Sequence, residues 1–140
     1  MDVKKIQEQI DSTDYCDAHV YDVRASYCCD EVDMFVECFK DESCVWRFHF
    51  GMCSKFQLST DAVLREREFP VTLKHIRDMR PLQMDYFSHY IVVSKCGTEG
   101  FLKFQMDLDF MNMTIECAEF SVSKELKSQH SFWWDKNDPD

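Results

Sequence analysis

Near the N-terminus Asp14, Asp17, His19 and Asp22 lie within nine residues, and these side-chain types bind a divalent cation or form an Asp–His proton-transfer pair. With Cys16 beside them, they define one reading of the chain, a β-domain that binds a metal or small molecule without catalysis. The plainer reading is that Asp17 caps a turn and His19 opens a surface strand. Asp107 and Asp109 stand two apart, so a strand would place both carboxylates on one face for acid–base work. Lys103 on the same face fits a solvated outer surface equally well. Eight cysteines could hold zinc, yet no two form C-x-x-C, and His19, His49, His75, His89 and His130 form no H-x-x-x-H. Three glycines cannot build a phosphate-cradling loop, and there is no G-x-S-x-G, H-E-x-x-H or calcium loop. Nothing marks one thiol as an activated nucleophile. The expectation is a protein that is not an enzyme and needs no metal or cofactor.

The elements that carry these residues follow from hydrophobic periodicity. Val3, Ile6 and Ile10, spaced by three and four, predict an amphipathic helix over 3–12, closed by Ser12-Thr13-Asp14. Tyr21, Val23, Ala25 and Tyr27 alternate with polar residues, which predicts a half-buried strand starting at Ala18. Val32–Phe39 and Cys44–Phe50 continue the pattern across the turns Asp30-Glu31 and Lys40–Ser43, with a bend or bulge at Gly51 and a shorter strand Lys55–Ser59. Residues 60–85 break the alternation. They carry Arg65, Arg67, Lys74, Arg77 and Arg80, room for a short helix from Thr60 or Asp61 to Arg67, and Pro70 and Pro81. Strands resume at Tyr86–Lys95, turn at Cys96–Gly100, and continue as Leu102–Phe110 and Met113–Ser123, the last with a bulge near Cys117-Ala118. The tail 124–140 begins as a possible short helix and frays, although Phe132, Trp133 and Trp134 are apolar enough for at least one to dock.

The fold class expected is α+β, mainly β. It is one domain over residues 1–140, an antiparallel meander sheet or small sandwich of six to seven strands with one N-terminal helix. Several of its cysteines sit at strand positions among large apolar residues, Cys44 with Trp46, Phe48 and Phe50, so most read as reduced core filler. Adjacent Cys28-Cys29 is the best redox candidate, although strand neighbours face opposite ways.

Charge is the sharper signal. The chain has 26 acidic and 16 basic side chains, net -10, which argues against nucleic acid as a direct partner. No apolar run approaches the roughly 20 residues that span a bilayer, and the charged first residues form no signal peptide, so the expected location is cytoplasmic. Residues 1–46 hold 12 acids against 4 bases, so most of the charge belongs to the helix, the first strands and their turns. Such a surface steers association with a basic protein. The turn residues Asp30, Glu31, Asp33, Asp41 and Glu42 are the candidate contact positions, with Asp107 and Asp109 as a second patch.

The stretch Cys16-Asp17-Ala18-His19-Val20-Tyr21-Asp22-Val23-Arg24-Ala25, followed by a turn and two strands, resembles the opening of immunity proteins from bacterial polymorphic-toxin and contact-dependent growth-inhibition systems. The glycine-containing hairpin and the strand Met113-Thr114-Ile115-Glu116-Cys117-Ala118-Glu119-Phe120 are similar to their closing pattern. The likeness spans about two thirds of the chain, without 60–85 and the tail. It departs at Cys16, where those proteins often carry His, which weakens any shared ligand role. The resemblance implies a cytosolic protein that binds a cognate toxin domain and blocks it. A nuclease-like toxin with a basic cleft would suit the acidic charge.

Overall fold

The computed structural model describes residues 2–60, 72–79 and 86–135. The Asp2 carboxylate accepts a hydrogen bond from the Lys4 backbone N–H and so starts helix α1, Val3–Asp11, which buries Ile6 and Ile10. Strands follow as the alternation predicts: β1 Ala18–Ser26, β2 Glu31–Glu37 and β3 Cys44–Thr60. After the five-residue helix α2, Leu73–Arg77, come β4 Phe87–Ser88, β5 Tyr90–Lys95, β6 Leu102–Asp107 and β7 Met111–Leu126. The helical turn expected through Arg67, and the charges of Arg65, Arg67 and Arg80, lie outside the described residues.

All pairings are antiparallel, in the order β4-β1-β2-β3-β7-β6-β5. Only His89 separates β4 from β5, yet these strands stand at opposite ends of that order. The sheet is therefore rolled until its two edges meet. At the seam, Ser88 carbonyl accepts from Asp17 N–H, while His89 N–H donates to Asp107 carbonyl on β6. Of the two architectures expected, the single sheet is the one formed, with seven strands.

Rolling leaves the outer edge of β5 without a strand partner, and helix α1 supplies one with side chains. Gln7 accepts from Val93 N–H and donates to Ile91 carbonyl, both at 2.9 Å, and the Tyr15 hydroxyl accepts from Ile91 N–H at 3.0 Å. This satisfies backbone groups that would otherwise recruit another strand. Inside the roll, Ile6 and Ile10 meet Val32, Met34, Val36, Phe48, Phe50, Phe104, Met106, Met113 and Ile115 in one core. Burying such side chains stabilises by about 1.5–3 kcal/mol each.

Several expectations need correction. β1 shifts register between Val20 and Asp22, so Ala18 and Val20 enter the core and Tyr21 faces the other way. The bend or bulge expected at Gly51 is present one residue on, where Met52 takes the left-handed conformation (φ 52°) and β3 shifts register between Cys53 and Lys55. The short strand expected at Lys55–Ser59 is instead part of one β3 that runs to Thr60. Burial does change parity along β7 after Cys117, as expected, but the extra residue sits in β3 opposite. β7 also runs on to Leu126, and the expected tail helix is only a 3-10 turn at Lys127–Gln129.

The chain then straps the outer face. Phe132 and Trp134 stack at 4.9 Å and bury against Phe35, Val45 and Tyr21, while Trp134 Nε1 donates to Tyr21 carbonyl. Two of the three tail aromatics thus dock, and Trp133 stays about one third exposed. Gln7→Leu leaves Val93 N–H unsatisfied and should cost about 1–3 kcal/mol in urea denaturation, with faster hydrogen exchange at the Val93 amide.

Candidate functional site

The kink in β3 opens a recess between the tip of the β1–β2 hairpin and the start of β6. Tyr27, Asp30, Glu31, Met52, Cys53, Ser54, Phe101 and Glu119 line a cleft of about 670 Å³. The hairpin tip is unusual, since Tyr27, Cys28 and Cys29 are consecutive left-handed residues with φ of 53°, 54° and 72°. Non-glycine residues hold such backbone only where surrounding contacts fix it. Two bonds fix it here, Asp30 N–H to Tyr27 carbonyl and Cys53 N–H to Asp30 carbonyl, at 3.1 and 3.0 Å. In consequence Tyr27 stands 75% exposed beside Met52 at 60%, two large apolar side chains held in water.

Gly51 serves this site by its size. A Cβ there would lie 3.0 Å from Glu119 Oε2 and 3.3 Å from Glu119 Cβ, so its absence gives the Glu119 side chain its place across the strand pair. Among the described residues, Asp30, Glu31 and Glu119 form no ion pair and no Lys, Arg or His lines the cleft. The field they create is felt by Cys53. Burial, then the neighbouring Asp30, Cys29 and Glu31, push its thiol up to about 11. Cys117, opposite it on β7, is pushed up to about 12, chiefly by burial. Both thiols stay protonated near neutral pH, so the recess offers carboxylates and ring faces rather than a thiolate.

Of the acidic residues singled out by sequence, only Asp30 and Glu31 share this recess. Asp33 lies on the outer face of β2, with Arg47 Nε and His49 Nδ1 each 2.8 Å from its Oδ1. Arg47 also reaches Glu125, which His130 Nε2 approaches at 2.7 Å. Asp41 and Glu42 occupy the β2–β3 turn at the other end of β2, where Asp41 accepts from Ser43 and Cys44. Asp107 and Asp109 stand at the β6–β7 turn. Asp107 accepts from Asp109 N–H, and Asp109 lies 3.5 Å from His89.

The candidate cation ligands are dispersed as well. His19 pairs with Glu37 at 2.9 Å, Asp22 with Arg24 at 2.8 Å, and Asp14 faces Lys40 at 3.9 Å. Asp14 and Cys16 line a second recess of about 470 Å³ with Asp11, Tyr15 and Phe39, but His19, Asp17 and Asp22 do not. Among the described residues no three His, Cys, Asp or Glu side chains are grouped to hold a metal ion. All eight cysteines are free. Cys38, Cys44 and Cys117 are buried as expected of core filler, whereas Cys16, Cys28 and Cys29 are exposed, a correction for those three.

Tyr27, Met52, Phe101 and Glu119 were not legible as site residues. Their one signal is that Tyr27, Met52 and Phe101 are bulky apolar residues next to turns or glycines, where polar residues are the rule.

A rolled antiparallel sheet with an acidic, ring-lined recess is equipped for recognition. The profile of the family described as Immunity protein PIM7 matches residues 2–124, from the cap of α1 to within two residues of the end of strand β7. The chain belongs to that family of immunity proteins. Its fold is similar to the crystal structure of an uncharacterized protein from Neisseria gonorrhoeae, with a TM-score of 0.52 and 10% identity, over 78% of this chain and 92% of that one. No curated protein matches the chain.

The outer-face pairs predict an acid-sensitive stability. Burial pushes the Asp33 carboxyl up, but the bonds from Arg47 and His49 outweigh it and hold the group below its ordinary 3.8. In Glu125, burial is likewise overcome by Ser123, His130 and Arg47, which hold it below 4.5. Each contribution is complete above the unfolded value and lost as pH falls through the lower folded value. Asp33→Asn should therefore destabilise by about 1–3 kcal/mol at pH 7 and by little once pH is below the depressed value, measured by urea titration across that range.

Proposed function

We propose that this immunity protein neutralises a cognate toxin domain in the cytoplasm by stoichiometric binding rather than catalysis, as in polymorphic-toxin or contact-dependent growth-inhibition systems. The toxin domain presents a basic, nuclease-like face, and the acidic surface of the first 46 residues orients it. The observation that carries this reading is the recess at the β3 kink, where three carboxylates that form no ion pair among the described residues lie beside the exposed side chains of Tyr27 and Met52. Interfaces concentrate their energy in such aromatic centres and use surrounding charge for orientation and rate. Asp30 and Glu31 make the contact. Asp41, Glu42, Asp107 and Asp109 lie away from it and act through the long-range field, whereas Asp33 is engaged by Arg47 and His49.

The test uses a cognate toxin domain, sought first among the products of the genes that neighbour this one. A one-to-one complex is expected, its association rate falling about tenfold or more between low and high salt while the dissociation rate changes little. A rate flat in salt would remove the electrostatic reading, and absence of a complex with that domain would remove the whole proposal.

A further inference from the structure

The internal chemistry of the molecule indicates what the recess is built to take. On the outer face, Arg24 Nε pairs with Asp22 at 2.8 Å while its guanidinium lies over the rings of Phe35 and Phe132, at 4.8 and 4.9 Å. Its Nη2 also donates to the Ser131 carbonyl. A carboxylate in line with the guanidinium plane and rings against its faces are together the environment arginine favours over lysine. The recess repeats that environment without its cation. Tyr27 and Phe101 supply ring faces, Asp30, Glu31 and Glu119 supply carboxylates, and Met52 supplies a polarizable wall. Its volume of about 670 Å³ admits a side chain together with the loop that bears it.

We infer that the recess at the β3 kink receives an arginine side chain from a loop of the partner protein, clamped between the Tyr27 and Phe101 rings and the Asp30, Glu31 and Glu119 carboxylates. This deepens the proposed function and rests on it for the partner's identity, but the recess is testable without the toxin. The left-handed turn has a purpose in this scheme. It fixes the backbone that projects Tyr27 into solvent before the partner arrives, so the turn itself need not be ordered on docking.

In the first experiment, N-acetyl-arginine amide is titrated into the full chain and followed by NMR. Saturable shifts are expected at Tyr27, Phe101 and Glu119, weaker ones with N-acetyl-lysine amide, and none with the neutral isostere N-acetyl-citrulline amide. Shifts spread evenly over other acids such as Glu8, Glu42 and Glu99, or no saturable shift at the recess, would overturn the inference. The second uses the complex with the cognate toxin domain found by that search. Tyr27→Asn, chosen because asparagine tolerates the left-handed backbone, and Glu119→Gln should each raise the dissociation rate about tenfold or more. Glu42→Gln should leave that rate unchanged. Recess variants that dissociate like the wild type would overturn the inference and leave the proposed function standing. If the wild type forms no complex, the proposed function fails and the arginine titration alone decides the recess.

Discussion

A sheet of seven strands must dispose of two open edges, and this chain does so by bringing them together. The edge of β4 and the edge of β5 meet at His89, and the stretch of β5 that still lacks a neighbour is bonded by Gln7 and Tyr15. Much of the remaining structure follows from this closure. To roll, the long β3–β7 pair has to bend, and it does so at Met52 and the register shift beside Cys53. The bend separates the β1–β2 hairpin from the start of β6, and the recess is the gap left between them. Closure and site are thus one geometric fact seen at two places.

The acidity of the chain divides along the same lines. Asp22, Asp33 and Glu37 belong to the acidic first third, but each faces a cation or histidine of its own fold. These pairs hold the outer face and fix side chains such as Arg24 and Arg47. Asp30 and Glu31 are left over, and Glu119 joins them from a strand far along the chain. A net charge read from composition therefore overstates the field open to a partner and understates how well it is focused.

Local pattern was enough to read α1, the bodies of the strands and the Cys96–Gly100 turn, because each is dictated by neighbours a few residues away. Pairing order was not legible, since nothing near Cys44–Thr60 indicates that its second partner is Met111–Leu126. Parity changes at Tyr21 and Met52 escaped because neither is a glycine, the residue that usually signals such backbone. Gly51 drew attention to the right turn of chain for a different physical reason, the room it leaves for Glu119. The recess itself draws on four separated segments, so only its Asp30-Glu31 corner lay within one readable turn. The aromatic tail was legible as a docking segment, because Phe132-Trp133-Trp134 is costly to leave in water.

The bonds that seal the roll also set an order of assembly. Gln7 meets its partner carbonyl 84 residues downstream, Arg24 meets Ser131 across 107, and Tyr21 meets Trp134 across 113. Contacts so distant along the chain carry a high loop-closure cost and slow folding. On the ribosome α1 and the first hairpins emerge with their apolar faces uncovered, and the core is complete only after β7 has been made. The aromatic strap closes last, as the final turn of a molecule whose first helix has waited for nearly the whole chain.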